Sequence, residues 1–250
     1  MQSANDTEEA SRSLVGPDNR EEKNLTIIEH LEEVRQRLIY CVIALVIALI
    51  PCAVFTNAIF EFLMVPAPAN FKPVYTEMTE MIFTYFKVAL MGGASLALPV
   101  FIYNVVRFVA PALTAKEKRY LFLLMPAVIV FFVAGVAFSY FILLPFAVKY
   151  LLTFSGVAEP MIKIGNYISF VTSLLFWMGA AFETPIIMFF LGKIGIINSS
   201  KLKRFRKYAI VVAFVIAAVI TPTPDPMNQA LVAIPIYLLF EIGALLVRFA

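Results

Sequence analysis

Six long apolar runs dominate this 250-residue sequence and constrain its fold more than any other feature. A helix needs about 20 apolar residues to cross the hydrocarbon core of a bilayer. None of the runs alternates apolar and polar residues as a barrel strand would, whereas a helix satisfies its backbone hydrogen bonds internally even in lipid. The chain is therefore predicted to be an all-α integral membrane protein with six transmembrane helices. These spans lie at about residues 38–55, 82–106, 120–144, 167–191, 208–220 and 227–246.

Composition agrees with this prediction, because 61% of the residues are hydrophobic and the mean hydropathy of +0.87 is too high for a soluble domain. Only the first segment, residues 1–24, is polar and mostly acidic. It contains no apolar run of the kind found in a cleaved export signal. We expect a disordered cytoplasmic tail there, followed by a six-span membrane domain over residues 25–250.

The basic residues between the runs predict the orientation of the chain. Thirteen lie on one side and only four on the other, so the positive-inside rule places both termini in the cytoplasm. The inner set is Arg35, Arg37, Arg107, Lys116, Lys118, Arg119, Lys193, Lys201, Lys203, Arg204, Arg206, Lys207 and Arg248, and the outer set is Lys72, Lys87, Lys149 and Lys163.

The predicted spans are not uniform. The fifth, at 208–220, reaches only ~20 Å of a hydrocarbon core about 30 Å thick, so either the bilayer thins there or neighbouring helices shield it. Prolines within the other spans predict kinked helices and a concave scaffold rather than a straight bundle. The long outer loops, 57–80 and 145–166, are expected to form a cap over the outer face. The prolines within spans are Pro51, Pro99, Pro126, Pro185 and Pro235.

Several functional classes are disfavoured by what the chain lacks. Cys41 and Cys52 lie in one apolar run, about 16 Å apart along a helix, which excludes an internal disulfide. His30 is the only histidine, so haem, zinc and Ser-His hydrolase sites are not expected. No phosphate-binding glycine loop occurs. The basic side chains lie in short loops between apolar runs rather than on one soluble face, which argues against nucleic-acid binding. We therefore expect no enzyme activity, cofactor, metal or nucleic acid.

Charged residues near the first two inner segments have two interpretations. A capping-box pattern at residues 26–29 predicts an amphipathic lead-in helix before the first span. Within it, Glu33 is spaced to form an i,i+4 ion pair with Arg37, which would be a surface contact. Glu117, in the second inner segment, would likewise be a surface ion-pair partner. The alternative for both acids is ligand recognition.

Glu183 is predicted to lie within the fourth span. A carboxyl group there is costly and is a functional hypothesis by default, and its structural alternative is a protonated side chain hydrogen-bonded to a neighbouring helix. Near the outer end of the second span, Lys87 is expected to extend towards the interface. Asp225 precedes the sixth span and is expected to cap its helix.

Six separate motifs, in order along residues 27–250, resemble the TatC family, the multispanning core of the twin-arginine protein translocase. They are residues 30–35 (HLEEVR), 108–113 (FVAPAL) with Glu117, 169–170 (SF), 181–185 (AFETP), 221–225 (TPTPD) and 240–243 (FEIG). The resemblance implies a protein of the cell inner membrane that recognises the paired arginines of export signal peptides. Folded proteins would then cross the membrane with TatA-type and TatB-type single-span partners, driven by the proton-motive force, in a complex that also contains further copies of the chain.

The resemblance also implies site residues. Two carboxylates would suit two adjacent arginines, because each accepts the planar guanidinium fork bidentately. Glu183 would face a polar recess approached by partner helices, while Thr221 and Gln229 would contact a partner's transmembrane helix. The signal-peptide residues would be Glu33 and Glu117 as the binding acids, with Arg35, Phe108, Pro111 and Leu113 shaping the surrounding surface.

Two rival functions follow from the intramembrane acids. A proton-coupled small-solute transporter would use Glu183 and Glu241 as proton carriers, and it would require a repeat symmetry and a central polar site. An intramembrane aspartyl protease would need two membrane aspartates. Asp225, in an outer turn, is the only aspartate after the tail, which argues against the protease.

Overall fold

The computed structural model describes residues 27–67, 73–109, 115–153, 161–221 and 225–249. Side chains are described throughout these ranges except at 27–30, 109, 115–118, 120–124, 153 and 201. The described part contains nine α-helices and one π-helical segment. The helices are α1 (Ile27–Val54), α2 (Thr56–Met64), α3 (Glu80–Val109), α4 (Ala115–Phe138), α5 (Leu144–Thr153), α6 (Ile164–Phe182), α7 (Thr184–Lys193), α8 (Ser199–Ile220) and α9 (Pro226–Leu246), and the π-helical segment is Ser139–Leu143.

Five helical stretches in the described part are long and apolar enough to cross a membrane: Leu31–Val54, Glu80–Phe108, Met125–Leu152, Ile164–Lys193 and Pro226–Leu246. They coincide with five of the six predicted spans, so the all-helical membrane fold is confirmed. The remaining span, 208–220, is the apolar end of α8. Because α8 begins with a strongly basic third, its apolar stretch is short, and the six-span count and the orientation stay predictions.

The third predicted span continues further than the sequence indicated. We expected an outer loop from Pro145 onwards, but α5 extends the helix to Thr153. Pro145 is the second residue of α5, where its missing N–H and fixed φ are tolerated. The π-helical segment directly before it changes the hydrogen-bonding pattern at that point. The helix therefore passes the proline instead of ending there.

The fourth predicted span is interrupted at Glu183. This residue ends α6 and precedes α7, in whose first turn Pro185 lies. The Glu183 N–H donates to the carbonyl of Ala180 at 3.1 Å, while the Glu183 carbonyl accepts from the N–H of Ile187 at 3.0 Å. Pro185 has no N–H to donate to the preceding turn, which accounts for the break. The expected proline kink is thus confirmed, as a division into two helices.

The two predicted outer loops contact each other, as a cap requires. Val74 and Lys163 form an isolated parallel bridge, in which the Ile164 N–H donates to the Val74 carbonyl at 2.9 Å. The carboxylate of Glu80 fastens the same region, because it accepts from the N–H groups of Thr76 at 2.9 Å and Gly165 at 3.0 Å. The starts of α3 and α6 are therefore held together by charge-assisted bonds.

The packed core of residues 39–250 is centred on α6, which is contacted by α2, α3, α4, α8 and α9. Its side chains at Ile168, Val171, Leu174 and Met178 are completely buried. By contrast, α1 exposes most of its large apolar side chains, as expected of a helix that faces lipid.

Glycines allow α4 and α6 to approach closely, and one of them gives a stability prediction. A Cβ at Gly135 would lie 2.8 Å from the Met178 carbonyl oxygen and 2.9 Å from the Gly179 Cα, both backbone atoms. Gly135→Ala must therefore separate the helices, and we expect a loss of about 1–3 kcal/mol. Thermal unfolding of the purified protein measures this.

The matched control is Gly92→Ala, whose added methyl would meet the Cys52 thiol at 3.1 Å, a side chain that can shift. The melting temperature of Gly92→Ala should be close to that of the wild type. Equal melting temperatures for the two variants would contradict the close approach of α4 and α6.

Candidate functional site

The lead-in segment of α1 carries the first predicted binding acid. Glu33 is partly exposed and pairs with Arg37, whose Nε donates to Glu33 Oε1 at 3.2 Å while Nη2 donates more closely to the same oxygen. Arg35 makes a separate, largely exposed ion pair with Glu32 at 3.1 Å. The structure thus contains the i,i+4 pair foreseen from the spacing. It also shows that the Glu33 carboxylate accepts a guanidinium.

The second predicted acid belongs to the inner segment between α3 and α4. Phe108 lies in the last turn of α3 and is partly buried, and Glu117 is the third residue of α4, although its side chain is not described. Pro111 and Leu113 lie outside the described residues. The roles assigned to these four residues therefore stay predictions.

Glu183 is buried inside the membrane domain. Its side chain is 3% exposed, and neither carboxylate oxygen has a hydrogen-bond partner among the residues described. An unpaired buried polar group is expensive, particularly within a membrane. The structural alternative, a hydrogen bond to a neighbouring helix, is therefore not observed in the described part of the chain.

Close helix contacts account for the burial of Glu183. On the α6 side, a Cβ at Gly179 would lie 2.5 Å from the Phe132 ring of α4. On the α7 side, a Cβ at Gly243 of α9 would lie 3.2 Å from the Pro185 Cα. Glu183 is therefore buried where α4 and α9 pack tightly next to the helix break, and its place in a polar recess stays a prediction.

The turn before α9 contains the predicted partner-contact residues. Thr221 is buried and its hydroxyl donates to the Ala217 carbonyl at 2.9 Å, one turn back in α8. Gln229 lies in the first turn of α9 and is partly buried. Next to it, Asn228 is 3% exposed, and its amide nitrogen has no hydrogen-bond partner among the described residues. Polar side chains are therefore concentrated at the turn between α8 and α9.

Asp225 caps α9 as predicted, since its Oδ2 accepts from the Asn228 N–H at 3.1 Å. Removing the cap in Asp225→Ala should lower the free energy of unfolding by about 1 kcal/mol. Asp225→Asn keeps a side-chain acceptor and should retain most of that stability. Thermal unfolding compares the two variants, and equal losses would show that the cap contributes nothing.

Glu241, the second acid of the transporter hypothesis, is engaged at the end of α9. Its Oε2 accepts from Arg206 Nη2 at 2.7 Å, and its Oε1 accepts from the Tyr237 hydroxyl at 2.8 Å. The partners sit on α8 and α9. Glu241 therefore joins two helices through its ion pair and hydrogen bond. This structural role explains its presence without proton transport.

Sequence reasoning missed one polar cluster. Lys87 is expected from its position to extend to the interface, but in the structure its Nζ donates to Ser169 Oγ on α6 at 2.7 Å. The two residues are 82 positions apart, and no local pattern pairs them. Only the adjacency of α3 and α6 brings them together, and it also creates a polar cavity beside them.

Comparison with known proteins agrees with the fold. The family model described as Sec-independent protein translocase protein (TatC) matches residues 29–235. A TatC of Carboxydothermus hydrogenoformans is 37% identical over 92% of this chain and 95% of its own length. A TatC of Aquifex aeolicus is 40% identical over 90% of this chain and 96% of its own length. The chloroplastic TATC protein of Arabidopsis thaliana is 35% identical over 91% of this chain and 68% of its own length.

A solved structure shows the same similarity in three dimensions. The crystal structure described as "Twin Arginine Translocase Receptor- TatC" superimposes with a TM-score of 0.81 at 40% identity, covering 88% of this chain and 99% of that one. Fold and sequence together define a multispanning, all-helical membrane protein of a protein-translocase class. The chain belongs to the TatC family, the Sec-independent protein translocase proteins. These similarities do not favour the small-solute transporter.

Proposed function

We propose that this chain is the signal-peptide receptor and core scaffold of a twin-arginine translocase that exports folded proteins. The observation that carries the proposal is the similarity to a solved twin-arginine translocase receptor, at 40% identity over 88% of the chain. The match to the family model extends over residues 29–235 and so includes the segments containing both candidate acids. The protein would act as a receptor and scaffold without catalysing a covalent reaction.

Glu33 and Glu117 are the proposed acids for the paired arginines. Glu33 is supported by its ion pair with Arg37, because that contact demonstrates that a guanidinium reaches this carboxylate. Lysine would substitute poorly, since an ammonium cannot form two parallel hydrogen bonds with one carboxylate. Arg35, which pairs with Glu32, is proposed to shape the cytoplasmic surface next to Glu33.

Apolar residues must add to the binding, because exposed ion pairs contribute only about 0–1 kcal/mol each. Phe108, Pro111 and Leu113 are proposed to supply that contact between α3 and α4. Phe108 is supported by its position in the last turn of α3, where its ring is partly buried and partly accessible. The apolar part of the signal peptide would continue along neighbouring helix surfaces.

Single-span proteins of the TatA and TatB types are the proposed partners within the bilayer. Thr221 and Gln229 would contact the polar residue of a partner helix, a role supported by the buried, unpartnered amide nitrogen of Asn228 nearby among the described residues. Glu183 would meet partner helices or the translocating chain once α4 and α9 move apart at the break between α6 and α7, since it is buried in this structure. The complex would lie in the cell inner membrane, with both termini of this chain cytoplasmic, contain several copies of it, and use the proton-motive force.

Export by a strain that lacks its own TatC tests the function. Expressing this chain with TatA and TatB partners should restore export of a folded reporter carrying a twin-arginine signal. A reporter with twin lysines should stay inside the cell. Solute uptake by the purified protein in vesicles, together with no export of either reporter, would favour the transporter instead.

Arg37 gives a further prediction, because it competes with an incoming arginine for Glu33. Arg37→Gln should strengthen binding of a twin-arginine peptide about two- to fivefold, the equivalent of an exposed ion pair. Peptide titration of the purified protein measures the change. Weaker binding would show that Arg37 itself contacts the peptide or positions Glu33, rather than competing with it.

A further inference from the structure

A polar cavity of ≈ 340 Å³ lies where α3 and α6 begin, away from the proposed receptor residues. Four ionisable side chains line it, two carboxylates and two ammonium groups: Glu77, Glu80 and Lys87 lie on or just before α3, and Lys163 lies directly before α6. Neither the receptor function nor the partner contacts use these groups. The polar lining includes Glu77, Glu80, Lys87, Lys163, Asn166 and Ser169.

The carboxylate of Glu80 already accepts hydrogen bonds from the protein backbone. Its two oxygens accept the N–H groups of Thr76 and Gly165, which stabilise the carboxylate in its charged form. The remaining charges in the cavity are the ammonium groups of Lys87 and Lys163 and the exposed carboxylate of Glu77. With two carboxylates and two lysines, the cavity favours a ligand that carries both charges, with its anionic group at the lysines and its cationic group at Glu77.

The two lysines have donors to offer. Lys87 uses one N–H for Ser169 Oγ, which leaves two of its three donors. Lys163 is exposed, and its ammonium attracts the carboxylate of Glu80 through charge. The side-chain amide of Asn166 is exposed beside them. Several donors around one small space suit the oxygens of a phosphate group.

The depth of the cavity indicates where such a phosphate would come from. Lys87 lies seven residues beyond the start of α3, about 10 Å along the helix. With α3 crossing the bilayer as predicted, the cavity would reach from the headgroup layer to the top of the hydrocarbon core. Phe83 lines the cavity and is 69% exposed, and Phe86 on the same helix is 59% exposed. Acyl chains can pack against these rings directly below the charged groups.

We propose that this cavity binds the headgroup of a membrane phospholipid, with its phosphate held by Lys87 and Lys163. A phosphoethanolamine headgroup fits best, because its ammonium can lie beside Glu77 while its phosphate meets the lysines. The bound lipid would join α3 to α6 at the end already fastened by Glu80. Two lysines and two acids in one cavity offer charges of both signs to such a zwitterionic headgroup.

Native mass spectrometry of the purified full-length chain in detergent tests this proposal, with dioleoyl phosphatidylethanolamine as the probe. The wild type should bind one lipid preferentially. Lys163→Gln and Lys87→Gln should each weaken that binding about fivefold or more, the loss of one charge-assisted contact. Lys149→Gln removes another lysine of the predicted outer side that does not line the cavity, and it should bind as the wild type does.

Further probes distinguish the possible sources of binding. Dioleoylglycerol, which lacks the phosphate, should bind at least about fivefold more weakly to the wild type. Thermal unfolding without lipid verifies that each variant is folded, and Lys163→Gln should lose little stability, because the Lys163 side chain is exposed and its interaction with Glu80 is a solvated charge interaction. Equal lipid binding by both cavity variants and the wild type would overturn the proposal, and so would equal binding of dioleoylglycerol. Binding of inorganic phosphate without preferential lipid binding would overturn the lipid as its source.

Discussion

Replacing Glu183 with methionine is expected to stabilise the purified protein and to impair transport. The side chain is 3% exposed and its carboxylate has no hydrogen-bond partner among the described residues. Replacing a buried, unpaired polar group with an apolar side chain of similar volume should raise the free energy of unfolding by about 1–3 kcal/mol. Transport should fall by about tenfold or more, equivalent to at least about 1.4 kcal/mol at the affected step.

Two further measurements separate the possible roles of Glu183. Signal-peptide binding should stay close to the wild-type value in Glu183→Met, because the receptor acids lie elsewhere in the sequence. Glu183→Gln retains hydrogen-bonding capacity without an ionisable group, so activity in this variant would assign the role to polarity rather than charge. An equal loss of transport and peptide binding in Glu183→Met would instead place the residue in the receptor step.

Substituting both proposed receptor acids should have the largest effect on peptide binding. Each acid is expected to contribute about 1 kcal/mol to peptide binding, so Glu33→Ala or Glu117→Ala should weaken binding about fivefold, and the double variant about thirtyfold. Fluorescence anisotropy of a labelled twin-arginine peptide, with the protein in lipid nanodiscs, measures these affinities. A twin-lysine peptide should bind weakly to every variant.

Glu32→Ala is the matched control for that series. Glu32 precedes Glu33 on the same lead-in helix and also pairs with an arginine, but the pair is largely exposed. Its removal should leave the affinity within about twofold of the wild type, as expected of a solvated ion pair. Equal effects of Glu32→Ala and Glu33→Ala would indicate a general loss of negative charge and not a specific site.

Much of the fold could be predicted from local sequence. Hydropathy located the long helices because lipid demands continuous apolar segments, and α9 begins and ends within a residue of its expected bounds. Asp225 was predictable as a cap because capping depends on residues only three positions apart. Ion pairing of Glu33 with Arg37 was foreseeable for the same reason, since i,i+4 spacing places both on one face.

Features that depend on long-range packing could not be predicted in this way. Continuation of the helix past Pro145 requires the adjoining π-helical segment, which no local pattern announced. Burial of Glu183 depends on how closely α4 and α9 approach the break at Pro185, a matter of packing between distant segments. The Lys87 bond to Ser169 likewise arises only when α3 and α6 become neighbours.

Site-specific photo-crosslinking of a signal peptide tests the receptor proposal most directly. The photoreactive group is placed beside the paired arginines, and adducts are mapped in the wild type and in the double variant Glu33→Ala, Glu117→Ala. We expect wild-type adducts in the lead-in segment of α1 and in the inner segment between α3 and α4. These adducts should be largely lost in the double variant. Unchanged crosslinking in the double variant would contradict the proposed binding site.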